Sequence, residues 1–107
     1  MAGISTVFLI DENASKVAEF QITDEEDGWF LGKVIWQTMP SDMRRALDWY
    51  DEIVRDQMLS YLDDALARIQ TFELKAVFPD GSAHKTYSLH ITTNDEVSFR
   101  TSPVPER

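Results

Sequence analysis

The chain holds two histidines, nineteen acidic residues and no cysteine, so carboxylates and imidazoles are the first groups to weigh for any chemistry it performs. Disulfides and thiolate chemistry are excluded by composition. His84 and His90 both fall on the polar side of a strand-like segment, six residues apart. That spacing is about 20 Å along an extended strand, too far for the two rings to share one ion. Pairing with the preceding strand is expected to set His84 near Val77 and His90 near Thr71. Neither neighbour offers a carboxylate, and both histidines therefore read as satisfied surface residues.

Among the acids, Asp24-Glu25-Glu26-Asp27-Gly28 is the run most like a calcium loop. With Gly28 at the sixth loop position, however, Thr23 falls at the first and Val34 at the twelfth, where a bidentate Glu is required. Its flanks read as strands, so a solvated hairpin turn is expected. A second row, Asp48, Glu52 and Asp56, lies at four-residue steps on a helix, where like charges repel unless cations share the face. They do share it: Arg44 can reach Asp48, Asp51 and Glu52 can reach Arg55, and Asp64 precedes Arg68 by four. That neutralisation argues for an exposed helix face and against a nucleic-acid mimic. No phosphate-cradling glycine loop, nucleophile elbow or zinc helix motif occurs. Neither a metal nor a cofactor is expected.

The 107 residues suffice for one domain able to bury a core without staples. Residues 1–101 are expected to form it, with 102–107 as a Pro-containing extended tail. The formal charge is −9, and residues 1–28 contribute seven acids against Lys16 alone. Such an acidic balance disfavours nucleic acid and anionic membrane surfaces and favours a basic protein partner. Without a charged, apolar leader at its start, the sequence is expected to be cytoplasmic.

The elements that would position these groups follow from periodicity. Ile4 to Ile10 and Lys16 to Thr23 read as a strand pair, with Ala18, Phe20 and Ile22 on one face. Trp29 to Thr38 reads as a third strand. Trp29 and Trp36 have opposite parity within it, and a bulge at Gly32 would bring both to one side. Met43, Leu47, Tyr50, Val54, Met58, Tyr61, Ala65 and Ile69 recur at helical steps and predict one helix from Pro40 to Gln70, about 40 Å long, with Ser41 as N-cap. A break near Ser60 is the alternative. Phe72 to Phe78 and Tyr87 to Ile91 then read as a hairpin in which Phe78 faces Ala83, and a turn at Thr93-Asn94-Asp95 would set Ile91 opposite Val97 and Leu89 opposite Phe99.

The expected fold is therefore α+β, with two three-stranded antiparallel segments flanking and packing on one long central helix (βββ-α-βββ). Trp49, Leu59 and Leu66 lie off the main stripe, where one sheet face would leave them wet. They are candidates for a protein interface, together with Asp24, Glu25, Glu26 and Asp27. The leading functional expectation is a non-enzymatic interaction or regulatory module, homodimeric, engaging another protein or its own copy. Two alternatives stand beside it. One is a small-molecule binder or minor enzyme with a pocket lined by Trp36, Tyr50, Tyr61 and Tyr87 and served by a helix carboxylate. The other is an acidic inhibitor or immunity-type protein with a basic target.

Overall fold

The computed structural model describes residues 5–102 and shows seven antiparallel strands and two short helices. The strands are β1 (Ser5–Ile10), β2 (Lys16–Glu26), β3 (Trp29–Gln37), β4 (Lys75–Val77), β5 (Ala83–Lys85), β6 (Tyr87–Ile91) and β7 (Glu96–Arg100); the helices, α1 (Ser41–Arg55) and α2 (Leu62–Gln70), fall between β3 and β4. All seven strands belong to one sheet in the order β5-β4-β1-β2-β3-β7-β6. This corrects the expected layout of two three-stranded segments on one long helix. The expected start of the first strand at Ile4, and the tail beyond Ser102, lie outside the described residues.

That order dictates the shape. Laid flat, seven strands would place their outermost members about 29 Å apart. Yet β5 and β6, the two outermost strands, are joined through Thr86 alone, a link that spans at most about 7 Å. The sheet must therefore curl into a half-barrel until its two ends meet. Thr86 is buried at the junction: its N–H and hydroxyl both donate to the Leu74 carbonyl at 3.0 Å, and the Thr86 carbonyl accepts from Gln70 Nε2.

Bulges supply the curl, because each extra residue bends its strand and adds twist. In the β2 and β3 pair the register shifts twice, leaving Ile35 as the extra residue on β3 and Thr23 on β2. Trp36 then sits opposite Glu19, beside core-facing Ala18, and Trp29 lies beside core-facing Phe30, so both indoles project from the outer face. A bulge does bring them together, but Ile35 makes it and not Gly32. The β2–β3 turn is also tighter than expected. Strand pairing continues to Glu26↔Trp29, and only Asp27 and Gly28 turn, at φ 53° and 85°. Asp-Gly tolerates these two positive φ angles, as a type I′ hairpin requires.

The concave face carries the core. Val7, Leu9, Ala18, Phe20, Ile22, Ala76, Leu89, Val97 and Phe99 are buried from the sheet, as are Met43, Ala46, Leu47, Tyr50, Ile53, Ala65 and Ile69 from the helices. The expected single helix stops at Arg55. Gln57 adopts φ 57°, the Met58 N–H donates to the Ile53 carbonyl at 3.0 Å, and the Gln57 N–H donates to Val54. This is a Schellman C-terminus, usually completed by glycine. A 3₁₀ turn at Leu59–Tyr61 follows, and α2 packs beside α1. The stripe is therefore cut: Val54 and Tyr61 are exposed while Ile53 takes the core position. At the N-terminus Pro40, not Ser41, is the cap, without a side-chain hydrogen bond. Gln57→Gly should relieve the left-handed strain and raise stability by about 0.5–1 kcal/mol, read by urea unfolding.

The later strands follow the predicted registers in part. Ile91 faces Val97 as expected, but an extra β6 residue between Tyr87 and His90, where Ser88 has φ 56°, sets Tyr87 opposite Arg100 and breaks the Leu89 and Phe99 pairing. Ala83 pairs with Val77, one residue from the expected Phe78. What reads as one return strand is divided at Thr86, β5 pairing with β4 and β6 with β7.

Candidate functional site

At one end of the half-barrel, aromatic rings from distant elements meet. Phe30 on β3 and Phe78, just past β4, lie 5.2 Å apart between centroids; Phe30 stacks on Phe99 at 5.4 Å, and the His84 ring stands edge-on to Phe78 at 5.6 Å. Two adjoining clefts of about 480 and 230 Å³ share Phe30 and Phe78 as their floor. Asp24 and Glu25 of the β2–β3 hairpin line the first, and Asp80, Ser82, His84 and Thr101 line the second. Among the described residues, neither cleft is lined by a lysine or arginine. The joined surface is thus an apolar floor with an anionic rim.

Local chemistry fixes that rim. The extra residue at Thr23 re-aims the strand just before Asp24 and Glu25. Asp80 begins an Asx turn, its Oδ1 accepting from the Ser82 hydroxyl at 2.6 Å and the Ser82 N–H at 2.9 Å. These bonds, the hydroxyl first and then the N–H, hold the Asp80 carboxyl below its usual range, with nearby His84 adding to the effect. Asp80 therefore stays anionic to lower pH than a free aspartate would. His84 lies across from Ala76 rather than Val77, its Nε2 3.1 Å from the Ser82 hydroxyl. The order is carboxylate, hydroxyl, imidazole, so the Ser82 proton is directed to Asp80 and not to a histidine base, and no activated nucleophile results.

A second cluster is built on a buried carboxylate. Asp51 on α1 is 2% exposed, its Oδ1 2.7 Å from His90 Nε2 and its Oδ2 accepting from Arg55 Nε at 3.0 Å. The Tyr50 ring stands edge-on to His90 at 5.1 Å, and burial pushes the Tyr50 phenol pKa up. His90 is thus not the surface histidine near Thr71 that strand spacing predicts. It is a cross-strand neighbour of Ser98 and is tied to a helix thirty-nine residues away in sequence. A carboxylate holding an imidazole is a general-base arrangement, but Asp51 and His90 line neither the Phe30 and Phe78 clefts nor the cleft beside Trp49. What the trio does is pin α1 to the outer strand β6.

The structure separates the residues of the expected interface. Trp49 is half-buried, with the Arg68 guanidinium 5.9 Å from its ring, in a cleft of about 400 Å³ also lined by Arg45, Asp48 and Glu52. Leu66 packs partly against the core, and Leu59 stands 64% exposed on the 3₁₀ turn. Neither leucine lines the Trp49 cleft. Asp24, Glu25, Glu26 and Asp27 are all exposed at the hairpin tip, and the first two reach the Phe30 and Phe78 floor. Trp36, Tyr50, Tyr61 and Tyr87 are not brought together. Trp36 donates its indole N–H to Glu19 on the outer face, Tyr50 is in the core, Tyr61 is exposed on the 3₁₀ turn, and Tyr87 lies across from Arg100.

On the helices, the Arg44–Asp48 and Asp51–Arg55 pairs form at 3.4 and 3.0 Å, whereas Arg68 turns to Trp49 rather than Asp64. Arg100 is buried against the Trp29 ring at 5.2 Å, its Nε without a partner among the described residues. Among those residues no three His, Asp or Glu side chains gather to hold a metal ion. No helix of the structure is long and apolar enough to cross a membrane.

The class defined by these features is an α+β protein built on one curled antiparallel sheet, with an acid-rimmed aromatic cleft at its end. Comparison with protein-family models, with characterised proteins and with solved structures finds no match. The functional reading therefore rests on the geometry.

Proposed function

We propose that the chain is a non-enzymatic protein-interaction module, acting in the cytoplasm, that engages a basic partner through the Phe30 and Phe78 cleft and the acidic hairpin beside it. The observation that carries this reading is the rim: Asp24, Glu25 and Asp80 around two phenyl rings, with no lysine or arginine in the lining among the described residues. Such a surface offers a cationic residue both charge and an aromatic face. Self-association has less support, since a second copy brings the same carboxylates and Trp49 and Leu66 already pack within their own chain. Catalysis at Asp51 and His90 has less support, since the pair does not line the Phe30 and Phe78 clefts.

The test is titration with poly-L-lysine followed by amide NMR. Amides of Asp24, Glu25 and Phe30 should shift, and binding should weaken steeply as ionic strength rises through the physiological range. The Asp24→Asn, Glu25→Gln, Asp80→Asn variant should bind at least about tenfold more weakly with its fold retained. Unchanged affinity in that variant would sink the proposal.

A further inference from the structure

The smaller cleft lies in a gap where the half-barrel does not close. β5 pairs with β4 on one side only, and the hydrogen-bond alternation shows which of its groups face away. The Phe78 N–H donates to the Ser82 carbonyl at 2.9 Å and the Thr86 N–H to Leu74 at 3.0 Å, so even-numbered residues, His84 among them, bond towards β4. Ala83 and Lys85 therefore direct their N–H and C=O groups the other way. This is the side on which Tyr87, the next residue of that parity, meets Arg100 of β7. Past Arg100 the chain bends at Thr101 and Ser102, and among the described residues no strand pairs with this edge of β5. Thr101 on one bank and His84 on the other line the resulting slot, with Phe30 and Phe78 below.

Resting on the proposed basic-partner reading, we infer that this slot takes an extended basic segment of the partner as an added strand on β5. Its backbone pairs with Ala83 and Lys85, an apolar side chain seats on Phe30 and Phe78, and flanking cations meet Asp24, Glu25 and Asp80. Addition to an open sheet edge draws affinity from the main chain and specificity from pockets beside it. Both elements are present here. Among the described residues the cations of the two flanking strands are Lys85 of β5 and Arg100 of β7, and neither lines the slot; Lys85 Nζ lies over the Tyr87 ring and Arg100 over Trp29. The three rim carboxylates line the clefts themselves and these cations do not, which makes a cationic segment the fitting occupant.

The probe is the end-blocked peptide Lys-Ile-Lys-Ile-Lys, with a version N-methylated on the edge meant to face β5 and an acidic version, Glu-Ile-Glu-Ile-Glu. The basic peptide should shift the Ala83 and Lys85 amides and slow their exchange. N-methylation should weaken binding about fivefold or more, the worth of one lost hydrogen bond. Ala83→Pro, which removes an outward N–H while sparing the bonds to β4, should do the same. Should Ala83→Pro unfold the chain, the N-methylated peptide on the unaltered protein still decides.

If the basic peptide binds with no penalty from N-methylation, or if only poly-L-lysine binds, strand addition is overturned and the basic-partner reading stands. Equal binding of the acidic peptide overturns the charge argument. Shifts at Ala83 and Lys85 that depend on protein concentration without peptide would make a second copy the occupant and overturn the inference. Silence with both peptide and poly-L-lysine ends both readings.

Discussion

Gly32→Ala is expected to cost at least about 3 kcal/mol, lowering the thermal midpoint by about 12–24 °C. A Cβ built on Gly32 would lie 2.1 Å from the Gln21 carbonyl oxygen and 2.9 Å from its carbon and from Ile22 Cα. All three are backbone atoms of β2, so no rotamer change can relieve the overlap. The strands would have to part by about 1 Å, stretching ladder bonds worth about 1 kcal/mol each. Gly32 lies between the two bulges, at Thr23 and Ile35, where β2 and β3 are most strongly bent together. Urea unfolding with an unchanged slope would report the loss, and a cost under about 1 kcal/mol would show that the pair can open at that point without penalty. Gly28, with open space around its Cβ position but φ 85°, should be the milder site.

The second large effect belongs to Asp51. Asp51→Ala should destabilise by about 2–3 kcal/mol, because it removes two charge-assisted hydrogen bonds and strands the His90 Nε2. The figure is held below the usual cost of breaking a buried ion pair, since the Arg55 side chain is 54% exposed and water can replace its bond. Asp51→Asn should fall between, keeping an acceptor for His90 but losing the charge. Hydrogen exchange tells this apart from a general loss of stability: amides in α1 and β6 should accelerate together while those of β1 and β2 follow global unfolding. Uniform acceleration would mean that the Asp51, His90 and Arg55 cluster does not tie the helix to the sheet.

These two sites mark what could be read from residue order. Parity identified Ala18, Phe20 and Ile22 as core and set Ile91 opposite Val97, because alternation and turn length are local. The helix break near Ser60 was legible only as an alternative, its start hidden by Gln57, a residue without the freedom that usually announces a left-handed terminus. The division of the return strand at Thr86 was hidden too, since nothing in Ala83 to Ile91 records that its halves bond to strands at opposite ends of the sheet.

The candidate site was legible by half. The acids of its hairpin stood out in sequence, though as turn residues, while three of the four in fact extend β2. Phe30 and Phe78 gave no sign, because their meeting depends on curl that brings β3 to the end of β4. Asp51 read correctly as the partner of Arg55; its bond to His90 had no local signature at all.

The one-residue link at Thr86 also bears on how the molecule assembles. Once β6 docks on β7, Lys85 cannot stray more than about 7 Å from Tyr87, so β5 searches for β4 at an effective concentration far above that of a free strand. The converse holds when β5 docks first. The loop-closure entropy of joining the two ends is thus met a single time, and the last strand to pair on either side arrives already tethered beside its place.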